Sequence, residues 1–398
     1  MTEMLPPPPL TRSDKWRSPS ISPNAIGRKL SEMWADISAE RRSGNRLSRA
    51  VAESASMRTQ TVNLVVVTDS DARHAELASL VTNLPDITPS RIVMLASTAS
   101  KNESLDVSID IEERPNKPPH APTRIEVISV RGQGERLASV ANPLLVPDLP
   151  DFVWCTSPDF ANDPVLSDLA NQSDRIVVDS SYSPDPSTAL NYLCKLIDEG
   201  SDELRVSDMA WTRLSSWRQM IAQFFDIDAN LESLHEAEQV VIECARRDEQ
   251  GRSGITCGLL CAGWLASCMG WRAPGEELVM SREGWKLTLR AGQKGKSHEV
   301  ILYIREIDKV APSPSVIAIT ITGGQNAPGT FTVRRTSPET LTTISDTPSG
   351  GQVERTIYSL SRDEPRLLSA ELRQFDSDPI FEQSLRFAAS LWPSGSTE

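Results

Sequence analysis

The chain has 398 residues, 39% hydrophobic and 24% charged, enough for two or three domains with sizeable cores. Its 41 Lys/Arg against 54 Asp/Glu give a formal charge of −13, which argues against a dedicated nucleic-acid binder and against attachment to anionic lipid by charge. Six cysteines, with no apolar leader in residues 1–22, point to a reducing, cytoplasmic setting without a disulfide scaffold.

Residues 1–22, with the run Pro6–Pro9, read as a Pro/Ser-rich tail too polar to order itself. Residues 23–60 open with an amphipathic helix, Ile26, Leu30, Met33, Trp34 and Ile37 sharing one face. A basic stretch from Arg41 to Arg58 follows. From 61 to 272, strand-like and helix-like segments alternate. Leu64–Val67, Arg91–Ala96, Phe152–Cys155 and Arg175–Asp179 are short apolar runs, as in parallel strands covered on both faces. Val107–Ile111, Arg124–Val130 and Val240–Cys244 are further expected strands. Helices are expected at Asp69–Leu84, Glu135–Leu145, Pro164–Asn171, Ser187–Asp198, Ser207–Phe225 and Ser253–Met269. The last has no charge between Arg252 and Arg272, but four Gly and three Cys dilute it. It reads as a buried core helix, not a membrane span.

Residues 273–398 change character. Trp285–Arg290, Glu299–Arg305, Val316–Thr322, Thr330–Arg334 and Val353–Leu360 are strand-like, separated by turns such as Gly323–Asn326. Helices at Pro365–Gln374 and Pro379–Ser390 close the chain, the second with Asp378 as N-cap and Pro379 at N1. The expected class is therefore α/β: a mostly parallel sheet with covering helices, then a smaller antiparallel β-rich domain with C-terminal helices.

The chain carries few chemistry-bearing motifs. Gly132-Gln133-Gly134 lies between a strand and a helix, as a dinucleotide fingerprint does, but Leu137 stands where its third glycine belongs. A plain βα turn is the favoured reading. Cys257, Cys261 and Cys268 share a helix face without a fourth metal ligand nearby, so packed thiols are the default and a redox role the lesser reading. His74, His120, His235 and His298 are scattered. Asp179-Ser180-Ser181 sits at the carboxyl end of a strand, where phosphate or sugar can bind, although a capping turn is the plainer account. No nucleophile, base or metal set emerges, so no catalytic residue, metal or cofactor is expected.

In Asp208–Arg218, Trp211, Leu214 and Trp217 share a broad helix face flanked by Arg213 and Arg218. Trp and Arg concentrate at interface hot spots, which makes Trp211, Arg213, Trp217 and Arg218 candidate partner-binding residues. The competing reading is a core helix whose arginines pair with carboxylates.

Five segments, in order, resemble the OpcA family, the glucose-6-phosphate dehydrogenase assembly proteins of cyanobacteria and actinobacteria. They are Pro89–Arg91, Leu144–Pro150 with Phe152–Trp154, Asp174–Ser181, Asp208–Arg218 and Ala262–Ser267. The resemblance is to the cyanobacterial type and weakens beyond Trp271. It implies a non-catalytic partner that promotes the active oligomer of glucose-6-phosphate dehydrogenase, activates it, and so gates the oxidative pentose phosphate pathway. Thioredoxin-linked control of cyanobacterial members makes thioredoxin a second implied partner, although no Cys follows Cys268 here. Cys155 and Asp151 depart from the family pattern, which has an aromatic and an apolar residue there. The rival function is a nucleotide- or sugar-phosphate-using α/β enzyme built on Gly132, Gly134 and Asp179–Ser181.

Overall fold

A computed structural model describes residues 12–43, 62–84, 91–97, 105–114, 123–249, 251–273, 275, 278–292, 297–308, 315–358 and 363–391. Residues 1–11, and the basic stretch from Arg46 to Arg58, lie outside these. The chain forms two compact units. The first holds Met1–Val178, Ser201–Arg205 and Leu368–Gln374; the second holds Asp179–Gly200, Val206–Leu367 and Phe375–Glu398.

The first unit contains β1 (Arg12–Ile21), α1 (Pro23–Ser43), β2 (Asn63–Thr68), α2 (Asp71–Thr82), β3 (Arg91–Ser97), β4 (Leu105–Arg114), β5 (Thr123–Gly132), α3 (Gly134–Ala141), β6 (Asp151–Cys155), α4 (Pro164–Ala170) and β7 (Arg175–Val178). With β8 (Arg205–Asp208) at its edge, the sheet order is β1-β4-β5-β3-β2-β6-β7-β8. Strands β5, β3, β2, β6 and β7 run parallel. Every side chain of β2 and β7 is buried, which is why these runs lack alternation. With β1 and β4 set aside, the chain order across the sheet is third, second, first, fourth, fifth, sixth. That is the doubly wound arrangement, and its switch point lies between β2 and β6.

The expected tail is partly a strand. β1 pairs antiparallel with β4 from Arg12↔Glu113 to Ile21↔Leu105, with an irregularity after Pro19. An edge strand is held by backbone hydrogen bonds and tolerates proline, so low hydrophobicity did not exclude it. Its half-buried Asp14, Trp16 and Ser18 alternate with exposed Lys15, Arg17 and Pro19. Helix α1 buries Ile26, Leu30, Met33 and Ile37 as expected.

The second unit contains α5 (Pro186–Glu199), α6 (Met209–Arg213), α7 (Ser215–Phe225), α8 (Asp228–His235), β9 (Ala237–Ala245), α9 (Ile255–Met269), β10 (Val279–Ser281), β11 (Gly284–Ala291), β12 (His298–Ile307), β13 (Val316–Gly323), β14 (Thr330–Ser337), β15 (Thr340–Thr347) and β16 (Gly351–Tyr358). After α10 (Glu364–Glu371), α11 (Pro379–Leu391) completes it. The sheet order is β10-β11-β12-β9-β13-β14-β15-β16, and of its pairs β12–β9 is parallel. The boundary expected near residue 272 is thus misplaced. β9 belongs to the second sheet, between β12 and β13, because strand partners are chosen in space and not by position in an alternating pattern.

The helix expected over Ser207–Phe225 is two helices. Asp208 is the N-cap of the first, its carboxylate accepting the Ala210 N–H at 2.9 Å. At Leu214 the chain turns, and Ser215 Oγ donates to the Thr212 carbonyl at 2.8 Å. The uncharged α9 is a core helix, buried from Ile255 through Gly263. Gly263 lets it meet α11, since a Cβ there would lie 2.2 Å from the Ser384 carbonyl oxygen. Among the described residues, no helix is long and apolar enough to cross a membrane.

Candidate functional site

In a doubly wound sheet the first βα turn is where a dinucleotide's pyrophosphate sits. Here β2 ends at Thr68 and the turn is Asp69-Ser70, with no glycine. Ser70 caps α2, its Oγ accepting the Arg73 N–H at 3.3 Å, and Ser157 Oγ donates to Asp69 at 3.4 Å. Asp163 caps α4, accepting the N–H groups of Val165 and Leu166 at 2.9 and 3.2 Å. Burial raises its carboxyl above the usual range; those hydrogen bonds oppose the shift, and the Asp69 charge adds to it. The switch point therefore presents Asp69 where a phosphate loop would present backbone donors.

The Gly132–Gly134 turn joins β5 to α3, the third strand of the doubly wound set, which is not the fingerprint position. Gly132 abuts Leu105, and Leu137 is fully buried, so packing accounts for both. The Leu144–Pro150 segment is clamped from the sheet. Arg91 Nη1 donates to the Leu144 carbonyl at 2.6 Å while its Nε donates to Glu126 at 2.7 Å. Asn63 donates to Asp151 and to the Val146 carbonyl, at 2.7 and 3.0 Å.

In the second unit, a buried polar cluster gathers around Asp179–Ser181. Arg213 Nη1 donates to Asp179 Oδ1 at 3.0 Å and to Ser181 Oγ at 3.2 Å, and Nη2 engages Asp179 Oδ2. Asp179 also accepts the Ser181 N–H at 3.2 Å. Asp208 accepts the Ser180 N–H at 3.0 Å and the Ser180 hydroxyl. Burial, with the Asp179 charge adding, pushes the Asp208 carboxyl up to about 7. The turn is tied to the start of α9 through the Ser253 N–H on the Ser181 carbonyl at 3.0 Å. Its hydroxyls are spent on carboxylates, so an arriving phosphate would meet two acids and one arginine already paired.

The four expected partner-binding residues are not a free surface. Trp211 and Trp217 are buried and the Arg213 side chain is 8% exposed. Trp211 Nε1 donates to Asp378 at 2.8 Å, and Asp378 caps α11 through the N–H groups of Ile380 and Phe381. Arg218 lies 3.4 Å from the centre of the Trp211 ring and donates to the Trp211 carbonyl at 2.9 Å. The segment holds its own unit together because Asp179 and Asp378, remote in sequence, supply partners for an arginine and an indole.

Cys257 and Cys261 are buried and their thiols pushed up to about 12 by burial, whereas Cys268 is exposed. His74 is buried; burial first, then Arg131, lowers it to about 4. His235 is exposed, His298 meets the Ala237 carbonyl at 3.1 Å, and His120 lies outside the described residues. Among the described residues, no three His, Cys, Asp or Glu side chains are grouped as metal ligands. Asp378 is the expected cap of α11, but its Trp211 partner, like the Ser180 partner of Asp208, is not readable from sequence, since nothing local marks it.

Two OpcA family models match the chain. Residues 81–195 match the one described as glucose-6-phosphate dehydrogenase subunit N-terminal domain, and residues 204–385 the one described as its C-terminal domain. The OxPP cycle protein OpcA of Synechococcus elongatus is 28% identical over 210 residues, 52% of this chain and 44% of that protein. That of a Synechocystis species is 29% identical over 188 residues, 46% and 38% of the two chains. The chain thus spans less than half the length of these curated relatives. The 3-ketoreductase KijD10 of Actinomadura kijaniata superposes with a TM-score of 0.46 at 12% identity, over 83% of this chain and 95% of that one. With both family models matched in order and these relatives alongside, the chain belongs to the OpcA family.

Proposed function

We propose that this protein is a non-catalytic assembly factor and allosteric activator of glucose-6-phosphate dehydrogenase, acting in the cytoplasm to control entry to the oxidative pentose phosphate pathway. The relation to that dehydrogenase rests on the two family models named for it. The observation that carries the non-catalytic part is the first βα turn, where Asp69-Ser70 replaces the glycine-rich cradle a nicotinamide dinucleotide needs. A second support is that the resemblance-bearing segments spend their polar side chains internally, as Arg91, Asp179, Asp208, Trp211 and Arg213 do.

The test is an assay of the purified chain with glucose 6-phosphate and NADP, alone and with the dehydrogenase of the same cell. Alone it gives no turnover. Added to the dehydrogenase, it raises the rate at low glucose 6-phosphate and shifts the enzyme to a larger species on a sizing column. Turnover by the chain freed of dehydrogenase, or an enzyme unchanged in both rate and size, overturns the reading.

A further inference from the structure

Among the described residues of this unit, helices cover one face of the second sheet and leave the other open. Helices α7, α8 and α9 lie on the same side: Phe224 and Phe225 against Phe331, Ser233 beside Gly323, and Gly258 against Cys244 and Ile304. The opposite face is read from the strand register. One row across it runs Lys286, Tyr303, Val241, Thr320, Thr332, Ile344 and Glu354. The next row includes Glu243, Ala318 and Arg334. Hydroxyl pairs Thr320–Thr332 and Thr342–Thr356, at 3.1 and 3.3 Å, confirm that these side chains share the face.

The arrangement has a hidden symmetry. From β11 to β16 the face has seven strands, with β13 in the middle. A two-fold axis laid along β13 in the plane of the face exchanges β11 with β16, β12 with β15, and β9 with β14. Lys286 then falls opposite Glu354 of the second copy, and Glu243 opposite Arg334. Tyr303 falls opposite Ile344. Ala318 and Thr320, on the axis, meet themselves and are small enough for close approach. At ordinary strand spacing and rise the face measures about 800 Å² per copy, which matches a standard stable interface.

We infer that this open face is a self-complementary docking surface for a second copy of the chain, packed sheet on sheet about a two-fold axis along β13. Opposite charges face each other at both flanks, Thr and aliphatic side chains fill the centre, and aligned sheets pack in this way. The inference is independent of the dehydrogenase reading, because it concerns the chain alone.

The test is sedimentation equilibrium of the full chain at micromolar concentration. The expected result is a dimer whose dissociation constant rises at least tenfold in Lys286→Glu and likewise in Glu354→Lys, with the circular-dichroism spectrum of the folded chain unchanged in both. The double variant Lys286→Glu/Glu354→Lys restores the wild-type constant, which a loss of folding would not. A monomer at 100 µM (about the top of the working range) overturns the inference. So does a dimer indifferent to either single change, or single variants that the double swap does not rescue. If the chain is monomeric and the same variants weaken binding to the dehydrogenase instead, the face belongs to that partner and the inference fails.

Discussion

The Arg213 guanidinium closes on the Asp179 carboxylate across 34 positions of sequence, Nη1 lying 3.0 Å from Oδ1, with both side chains 8% exposed. Removing the arginine strands a buried carboxylate. Arg213→Ala is expected to cost about 3–5 kcal/mol, the usual penalty for breaking a buried pair from one side. Replacing both, as Asp179→Leu/Arg213→Met, is expected to recover most of that loss. Urea denaturation of the two variants checks it: a single variant costing under about 1 kcal/mol means that Asp179 is hydrated in the fold.

What sequence made legible here follows from where the stabilising interaction lies. Runs such as Leu64–Val67 and Phe152–Cys155 are buried on both faces and announce themselves through apolar continuity, and Asp378 announces its helix because a cap is local. β1 was hidden because its order comes from backbone pairing with β4. β15 is not among the expected strands, although its Thr and Ile are β-branched strand formers. At Asp179–Ser181 the plainer expectation is a capping turn, and the turn that Asp179 caps is there. Its partners Arg213 and Asp208 arrive from another part of the chain, so the closed, internally satisfied character of the cluster was not readable. The same holds for Trp211, whose indole finds Asp378 from 167 positions away.

Two buried groups give stability slopes of opposite sign with pH. Asp208, ordinarily 3.8 and here about 7, takes up its proton more readily folded than unfolded. Its contribution is full below about 3.8 and is lost as pH rises through 7. His74, ordinarily 6.5 and here about 4, takes up its proton more readily unfolded. Its contribution is full above 6.5 and is lost as pH falls toward 4. Between those limits the two oppose each other, each by up to about 1.4 kcal/mol per pH unit. Asp208→Asn is therefore expected to leave a stability that rises from pH 5 to 6.5, and His74→Leu one that falls over the same range. Urea midpoints at the two pH values decide it, and slopes of the same sign in both variants contradict the assignment.

The thiols of α9 divide by burial. Cys257 and Cys261 are fully enclosed, and at about 12 their thiols are almost entirely protonated near neutral pH, the form that does not attack. They also sit four residues apart on one helix, a spacing that strains a disulfide. Cys268, in the last turn of the same helix, is exposed; burial of part of it raises the thiol while Arg218 opposes that rise. Alkylation of the native chain with iodoacetamide is expected to label Cys268 first, and Cys268→Ser to remove that early fraction. Cys257 and Cys261 are expected to react only at the rate of global unfolding, so urea should accelerate them and leave the Cys268 rate nearly unchanged below the unfolding transition. Peptide mapping of the label distinguishes the two sets. Early modification of Cys257 or Cys261 in the folded chain would mean that the helix opens locally, and a redox response carried by that pair would then become chemically accessible.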